Sequence, residues 1–398
     1  MTSFYAHPVS LEGIRASIDA RQRFPVAREV LVGALKRQYS MVAAAPAVQA
    51  NIESLLQEQT FTVCTAHQPA IFTGPLYFIY KILHAIKLAG ELRRQFPGHS
   101  FVPVFYMGSE DADLDELGHV YLDRERLVWD TAQKGAVGRM HTHGLEKLIE
   151  RIEGEYSVQP FGRELTDMVK EAYLGSPDIQ TATFRLLHRL FGEFGLVVLI
   201  ADEPALKRLM IPVFEEDLFS QTASGLVDQT IRDLSRNYKV QASPRAINLF
   251  YLKDDLRGRI EKLGDKFRVH DSSLVFGEDE MRRELQEHPE RFSPNVILRG
   301  LFQETILPNI AFIGGGGELA YWLELKGLFT HFNVPFPLLI LRNSFLLIDG
   351  ASKEKLEKTG LSVPELFRPE EELINERVRG QSETVKSGRR DSRGAGLL

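Results

Sequence analysis

The chain has 398 residues, 43% of them hydrophobic and 26% charged, with a formal net charge of −6. That length and apolar content suit a large globular core, and the acidic balance argues against a general nucleic-acid binder, whose surface is usually basic. The single cysteine, Cys64, excludes a disulfide within the chain; with no apolar run of signal-peptide or membrane-span length, a soluble cytoplasmic protein is expected.

Residues 10–58 read as helical, with helical apolar spacing over 28–39 and 48–57 and prolines 25 and 46 near the starts. An apolar strand at 61–66 reaches His67-Gln68, is punctuated by Pro69, Gly74 and Pro75, and feeds a long helix. On that helix Ile79, Leu83, Ile86 and Gly90 share one face, and Lys81, His84 and Lys87 another. A second strand, 101–107, ends in an acidic loop, 110–116. Short strands are expected at HVYL, RLVW and RMHTH within 118–143, and helices over 144–194. GLVVLIAD (195–202) reads as a buried parallel strand, and 205–237 as helical. Strands at 246–252 and 267–276, joined by a charged turn, suggest a small antiparallel insert. A helix at 296–307, a strand at 309–313, a glycine run with its helix, and a buried strand at 335–342 complete the alternation. The pattern predicts an α/β fold, a mostly parallel sheet covered by helices with insertions at about 118–194 and 205–292. The core is expected to run to residue 378, with an N-terminal helical segment over about 1–60. Residues 379–398 contain almost no apolar residues before the final pair and are expected to be disordered.

Three polar turns follow strands, where parallel sheets build ligand sites. In the first, Thr73 or Gly74 is the expected N-cap, Pro75 the first helical residue, and free N–H groups would cradle a phosphate or carboxylate. His67 and Gln68 would flank the anion, with His67 the acid/base candidate and Lys81 two turns into the helix. No Gly-Lys-Ser/Thr follows, so this is not a Walker loop. In the second, Asp111, Asp113 and Asp115 mimic an EF-hand start, but Glu116 and Leu122 stand where its glycine and final glutamate belong. The alternatives are a loop that holds an amine, sugar hydroxyls or Mg²⁺ through Glu110, Asp111 and Asp113, and a merely solvated loop. His119, just beyond it, joins the substrate-binding candidates. In the third, Gly315-x-Gly317-x-x-Ala320 matches a dinucleotide fingerprint. The following strand ends in Leu341-Arg342-Asn343 rather than the ribose-binding acid, which counts against NAD. Close backbone approach by Gly315, Gly316 and Gly317 to a ligand flanked by Glu318, Tyr321 and Trp322 is the better reading. Arg299, Arg342 and Asp202 sit near strand or helix ends and would pair with a substrate or with structural partners. Cys64, inside an apolar strand with no adjacent base, reads as structural, and the His141/His143 pair lacks the further ligands of a tight metal site.

The segments TAHQPAIFTGPLYFIYK, VPVFYMGSEDADLDELGHVY, INLFYL and LPNIAFIGGGGELAYWLELK with PFPLLILRNS strongly resemble the bacillithiol-biosynthesis cysteine-adding enzymes, the BshC family, over nearly the whole chain to about residue 378. The resemblance implies a Rossmann-like core with connecting insertions, followed by a C-terminal coiled coil that mediates homodimerisation. It implies a ligase that joins L-cysteine to glucosaminyl malate in the last step of bacillithiol synthesis, with ATP and Mg²⁺ as the expected source of activation. The chain departs from the family pattern at His67, where glutamine is common, at Ala112, where many members carry histidine, and at Gly300, where proline commonly follows the arginine. Against that pattern the coiled coil is expected to be missing here, which weakens the expectation of a dimer. Rival expectations are a non-catalytic nucleotide- or metabolite-binding protein, an inactive fragment of the ligase, and a nicotinamide oxidoreductase.

Overall fold

The computed structural model describes residues 2–122 and 125–378. The expected disordered tail, 379–398, lies outside them. Twelve strands follow in chain order: β1 (Thr60–His67), β2 (Ser100–Met107), the hairpin β3 (His119–Leu122) and β4 (Glu125–Val128), β5 (Val197–Ile200), β6 (Leu249–Lys253), β7 (Leu256–Leu263), β8 (Lys266–Val269), β9 (Val275–Gly277), β10 (Phe292–Pro294), β11 (Asn309–Gly314) and β12 (Leu338–Leu341).

Five of these form a parallel sheet in the order β12-β11-β1-β2-β5. Its strands read as apolar runs because both faces are covered. Phe61, Val63, Phe101, Ala311 and Leu338 pack with Ile14 and Ile18 of the Leu11–Gln22 helix and with Ala85 and Ala89 of the Tyr77–Gln95 helix. Cys64, Val102, Val104 and Val197 join a second cluster with Leu31, Leu35, Phe184, Leu301 and Phe302. Cys64 is fully buried, and burial pushes its thiol well above the usual value, as suits a structural cysteine.

The chain runs outward from β1 to β2 on one side and returns beside β1 as β11 on the other. Strand order therefore reverses at β1, and a crevice opens at the carboxyl ends there. The register makes those ends level, since His67 pairs with Met107, Thr65 with Ile313, and Gly314 with Leu341.

Strands β6 to β10 form a separate antiparallel sheet in the order β10-β6-β7-β8-β9. Here the expected charged turn is itself a strand, β7. It alternates, with Gly258 and Ile260 buried and Arg259 and Glu261 exposed, so its charges mark a solvated face rather than a loop. The single strand expected at 267–276 is two, β8 and β9. RMHTH is not a strand; a single helical turn, Val137–Arg139, stands at its start. The helical regions 144–194 and 205–237 form as expected.

Buried polar groups pin these parts together. Arg21 Nε donates to Asn309 O at 2.8 Å, and its Nη2 meets Glu304 Oε2 at 2.7 Å. Asp217 accepts from Asn248 N at 2.6 Å and Nδ2 at 3.0 Å, while Asn295 N donates to Asn248 O at 2.9 Å. Asn295 also caps the Val296–Ile306 helix, its Oδ1 accepting from Ile297 N at 2.9 Å. The antiparallel sheet thereby sets the start of the helix that carries Arg299.

The described residues divide into two compact units, one ending at Asn343 and the other beginning at Ser344. In the second, the Gly350–Thr359 helix and the Val363–Phe367 turn bury no side chain.

Candidate functional site

A cleft of about 460 Å³ lies at the reversal point of the parallel sheet. His67 at the end of β1 with Gln68 following it, Glu110 and Asp111 after β2, Gly315–Glu318 after β11 and Arg342 after β12 contribute to its walls. The Val296–Ile306 helix adds Arg299, the Gly316–Glu324 helix adds Tyr321, and β7 adds Arg257. The turns after four strands and several neighbouring elements thus converge on one volume.

His67 is held by its neighbours. Its ring packs 5.6 Å from Tyr77 and 5.2 Å from Phe78, and Nδ1 lies 3.0 Å from the Gln68 carbonyl oxygen. Burial, with Lys81 nearby, pushes its pKa down to about 4. The imidazole is therefore neutral at pH 7. A carbonyl at Nδ1 requires Nδ1–H to donate, which leaves Nε2 as a bare acceptor. A pKa this low makes His67 a weak base and removes it as a proton donor at neutral pH, a narrower role than the sequence suggested.

Gln68 Nε2 donates to Asp111 Oδ2 at 3.0 Å, so the first and second turns are tied across the cleft. Glu110, 9% exposed, meets the fully buried Lys207 ammonium. Lys207 also reaches Asp202 Oδ1 at 2.9 Å, and Arg139 grips Asp202 through two bonds of 2.6 and 2.7 Å. Burial drives both acids up. Lys207 and Arg139 more than offset this at Asp202, which sits at about 2, whereas Glu110 stays above the usual carboxylate range. Asp202 thus has structural partners and lies off the cleft wall. Lys207 and Arg139 were missed because neither adjoins a turn motif.

The glycine turn is organised by Glu318, whose Oε2 accepts from Gly315 N at 2.8 Å and from Lys81 Nζ at 2.6 Å. Lys81 Nζ also donates to Ala66 O. Burial raises the Glu318 carboxyl, but Lys81 and the Gly315 N–H outweigh it and hold the group below its ordinary value. A Cβ built on Gly316 or Gly317 would meet nothing within 4 Å, so open space adjoins that backbone. This fits close approach of a ligand such as a phosphate or carboxylate.

Several candidates lie elsewhere. The turn at Thr73 and Gly74 does not line the cleft. Phe72 N donates to Tyr173 Oη, Thr73 N to Ala70 O and Gly74 N to Ile71 O, so these amides are spent. Phe72 and Thr73 join Gly74 at positive φ, and the helix begins only at Tyr77, after Leu76. Lys81 is buried, not solvent-facing. The helix buries Phe78, Lys81, Ile82, Ala85, Ala89 and Leu92, while Leu83 is 45% exposed. The packed face follows the apolar series Phe78, Ile82, Ala85, Ala89 and Leu92, and Lys81 beside it is paired with Glu318. Asp113 caps a short helix through Glu116 N, and His119 Nδ1 lies 2.9 Å from Asp115 O; neither residue lines the cleft. Asn343, whose carbonyl accepts from Arg342 Nη1, also lies off the wall. His141 and His143 stack at 5.7 Å, and among the described residues no group of three or more His, Cys, Asp or Glu could hold a metal.

Arg299 and Arg342 both line the cleft. Arg299 Nη2 donates to Tyr321 Oη, and Arg342 lies over the Tyr77 ring at 5.0 Å. The family description "Bacillithiol biosynthesis BshC, N-terminal Rossmann-like domain" matches residues 1–343, the unit that contains this whole cleft. The chain belongs to the BshC family. Proteins named "Putative cysteine ligase BshC" from Cytophaga hutchinsonii and Flavobacterium johnsoniae are each 42% identical to it, over 93% and 87% of the chain. One from Flavobacterium psychrophilum is 41% identical over 89%. Those matches cover 69%, 66% and 67% of the relatives, so the chain spans about two thirds of the length of the BshC proteins it matches. Among the described residues no helix is long and apolar enough to cross a membrane.

Proposed function

We propose that the chain carries the active cleft of a bacillithiol-biosynthesis ligase that joins L-cysteine to glucosaminyl malate. The observation that carries this reading is the convergence of arginines, an open glycine backbone and two acidic groups on the strand-order reversal. Each part has a counterpart in the substrates. Arg299 and Arg342 suit the malate carboxylates, and Asp111, oriented by Gln68, suits an ammonium. The backbone of Gly316 and Gly317 leaves room for a phosphate or carboxylate oxygen.

In the reaction the cysteine carboxylate would be activated as an acyl phosphate or acyl adenylate; the amino nitrogen of the sugar attacks the carboxyl carbon, a C–N bond forms, the C–O bond to the phosphate or AMP breaks, and the amine gives up a proton. ATP supplies the leaving-group chemistry in this reading. Neutral His67 offers Nε2 to a proton of the attacking amine. A homodimer and a cytoplasmic location accompany the proposal.

The test is anaerobic incubation of the 398-residue chain with cysteine, glucosaminyl malate, ATP and Mg²⁺, followed by mass spectrometry. The condensed thiol is expected. Product only from a chain extended to the relatives' length would make this one an incomplete ligase, and no product from either would overturn the reading.

A further inference from the structure

Arg257 is the one arginine of the cleft wall that comes from the antiparallel sheet, and no motif singled it out. Its guanidinium carbon lies 3.8 Å from the centre of the Phe250 ring. Stacking of that kind fixes the plane of the group and leaves its edge to bind. At that edge the Nε is buried and meets no acceptor among the described residues. A buried donor without a partner costs stability unless something else supplies the acceptor. A carboxylate matches Nε and one Nη with two parallel bonds. The surroundings agree. Burial lowers the Arg257 pKa, and Asp111 and Glu110 pull it back, yet neither acid makes a hydrogen bond to Nε.

We infer that Arg257 is the specificity-determining residue for an anionic ligand of this cleft, its Nε edge gripping one carboxylate of a small dicarboxylate or of a sugar that carries one. The inference rests on the cleft being the binding site named above. It assigns ligand selection partly to the insert sheet rather than to the parallel sheet alone. The acids nearby give this selectivity a sign. Glu110 and Asp111 line the same cleft and repel an anion, so a guanidinium edge there offsets that repulsion.

The experiment titrates the 398-residue chain with L-malate and with glucosaminyl malate by calorimetry, against Arg257→Gln, Arg257→Lys and a malate diamide that lacks both carboxylates. Loss of a bidentate charged pair predicts binding weaker by about 10- to 100-fold in Arg257→Gln. Arg257→Lys keeps the charge but not the two-point edge, so it should recover only part of that loss. The diamide should bind wild type and Arg257→Gln alike, which a merely structural role would not produce. If Arg257→Gln proves unfolded by circular dichroism, Arg257→Lys carries the comparison. Equal malate affinity in wild type and the folded variants overturns the inference, as does a wild type that binds neither acid. Arg257-dependent malate binding with no thiol product leaves this inference standing while the ligase reading falls. Thiol product with an unchanged KM for the sugar in the variants does the reverse.

Discussion

The neutral state of His67 has a measurable consequence for stability. In the fold its pKa is about 4, against 6.5 for the unfolded side chain. The folded value is depressed, so the unfolded chain binds more protons between those two values. The group's contribution is fully present above about pH 6.5 and is lost as the pH falls through 4. Between about pH 7.5 and pH 5 the linkage amounts to about 2 kcal/mol of stability from this one side chain. Other groups titrate in the same window, so the useful quantity is a difference of differences. Urea unfolding of the wild type and of His67→Gln, each at both pH values, isolates it. Glutamine does not titrate and retains an amide for the Gln68 neighbourhood. The wild type should lose about 2 kcal/mol more than the variant on acidification. Identical losses in the two proteins would refute the buried, neutral imidazole, as would an NMR titration of His67 with a midpoint near 6.5.

Further substitutions test the packing around the cleft. Lys207→Met should destabilise by about 3–5 kcal/mol, because Glu110 and Asp202 would stay buried without their shared ammonium. Adding Asp202→Asn should return part of that loss, and a fully additive double variant would argue against one coupled network. Gly138→Ala should cost about 1–3 kcal/mol by denaturant midpoint, since its Cβ would sit 2.5 Å from Ser109 Cβ and O. Trp322→Ala should cost about 3–5 kcal/mol, because the fully buried indole stacks on Phe312 at 4.5 Å.

The parallel sheet was legible because its strands are covered on both faces and announce themselves as apolar runs ending in polar turns. Strand β7 was not, because Arg257, Arg259 and Glu261 mask a period-two pattern whose inner positions are only Gly258 and Ile260. That miss hid Arg257 from the candidate site. His67, Gln68, Glu110, Asp111, Arg299, Gly315–Glu318, Tyr321 and Arg342 were legible from their places after strands or on the helices that follow. Thr73 and Gly74 misled because spacing cannot show whether a turn's amides are already taken, here by Tyr173, Ala70 and Ile71. Lys81 misled for a related reason. Its counter-ion, Glu318, is 237 positions away, and that pairing, with the bond to Ala66 O, makes burial of a lysine tolerable.

The neighbours of β1 set an order of events during synthesis. Thr62 and its partner Asn309 are 247 positions apart, and Arg21 reaches Glu304 across 283. At ribosomal speeds of about 5–20 residues per second, β1 waits roughly 12 to 50 s before β11 exists to cover its second edge. During that interval an apolar strand with one open side, and a helix bearing an arginine destined for burial, are both present without their partners. The nascent chain is most vulnerable to strand-edge association in that window, and anything that slows translation between residues 67 and 309 prolongs it.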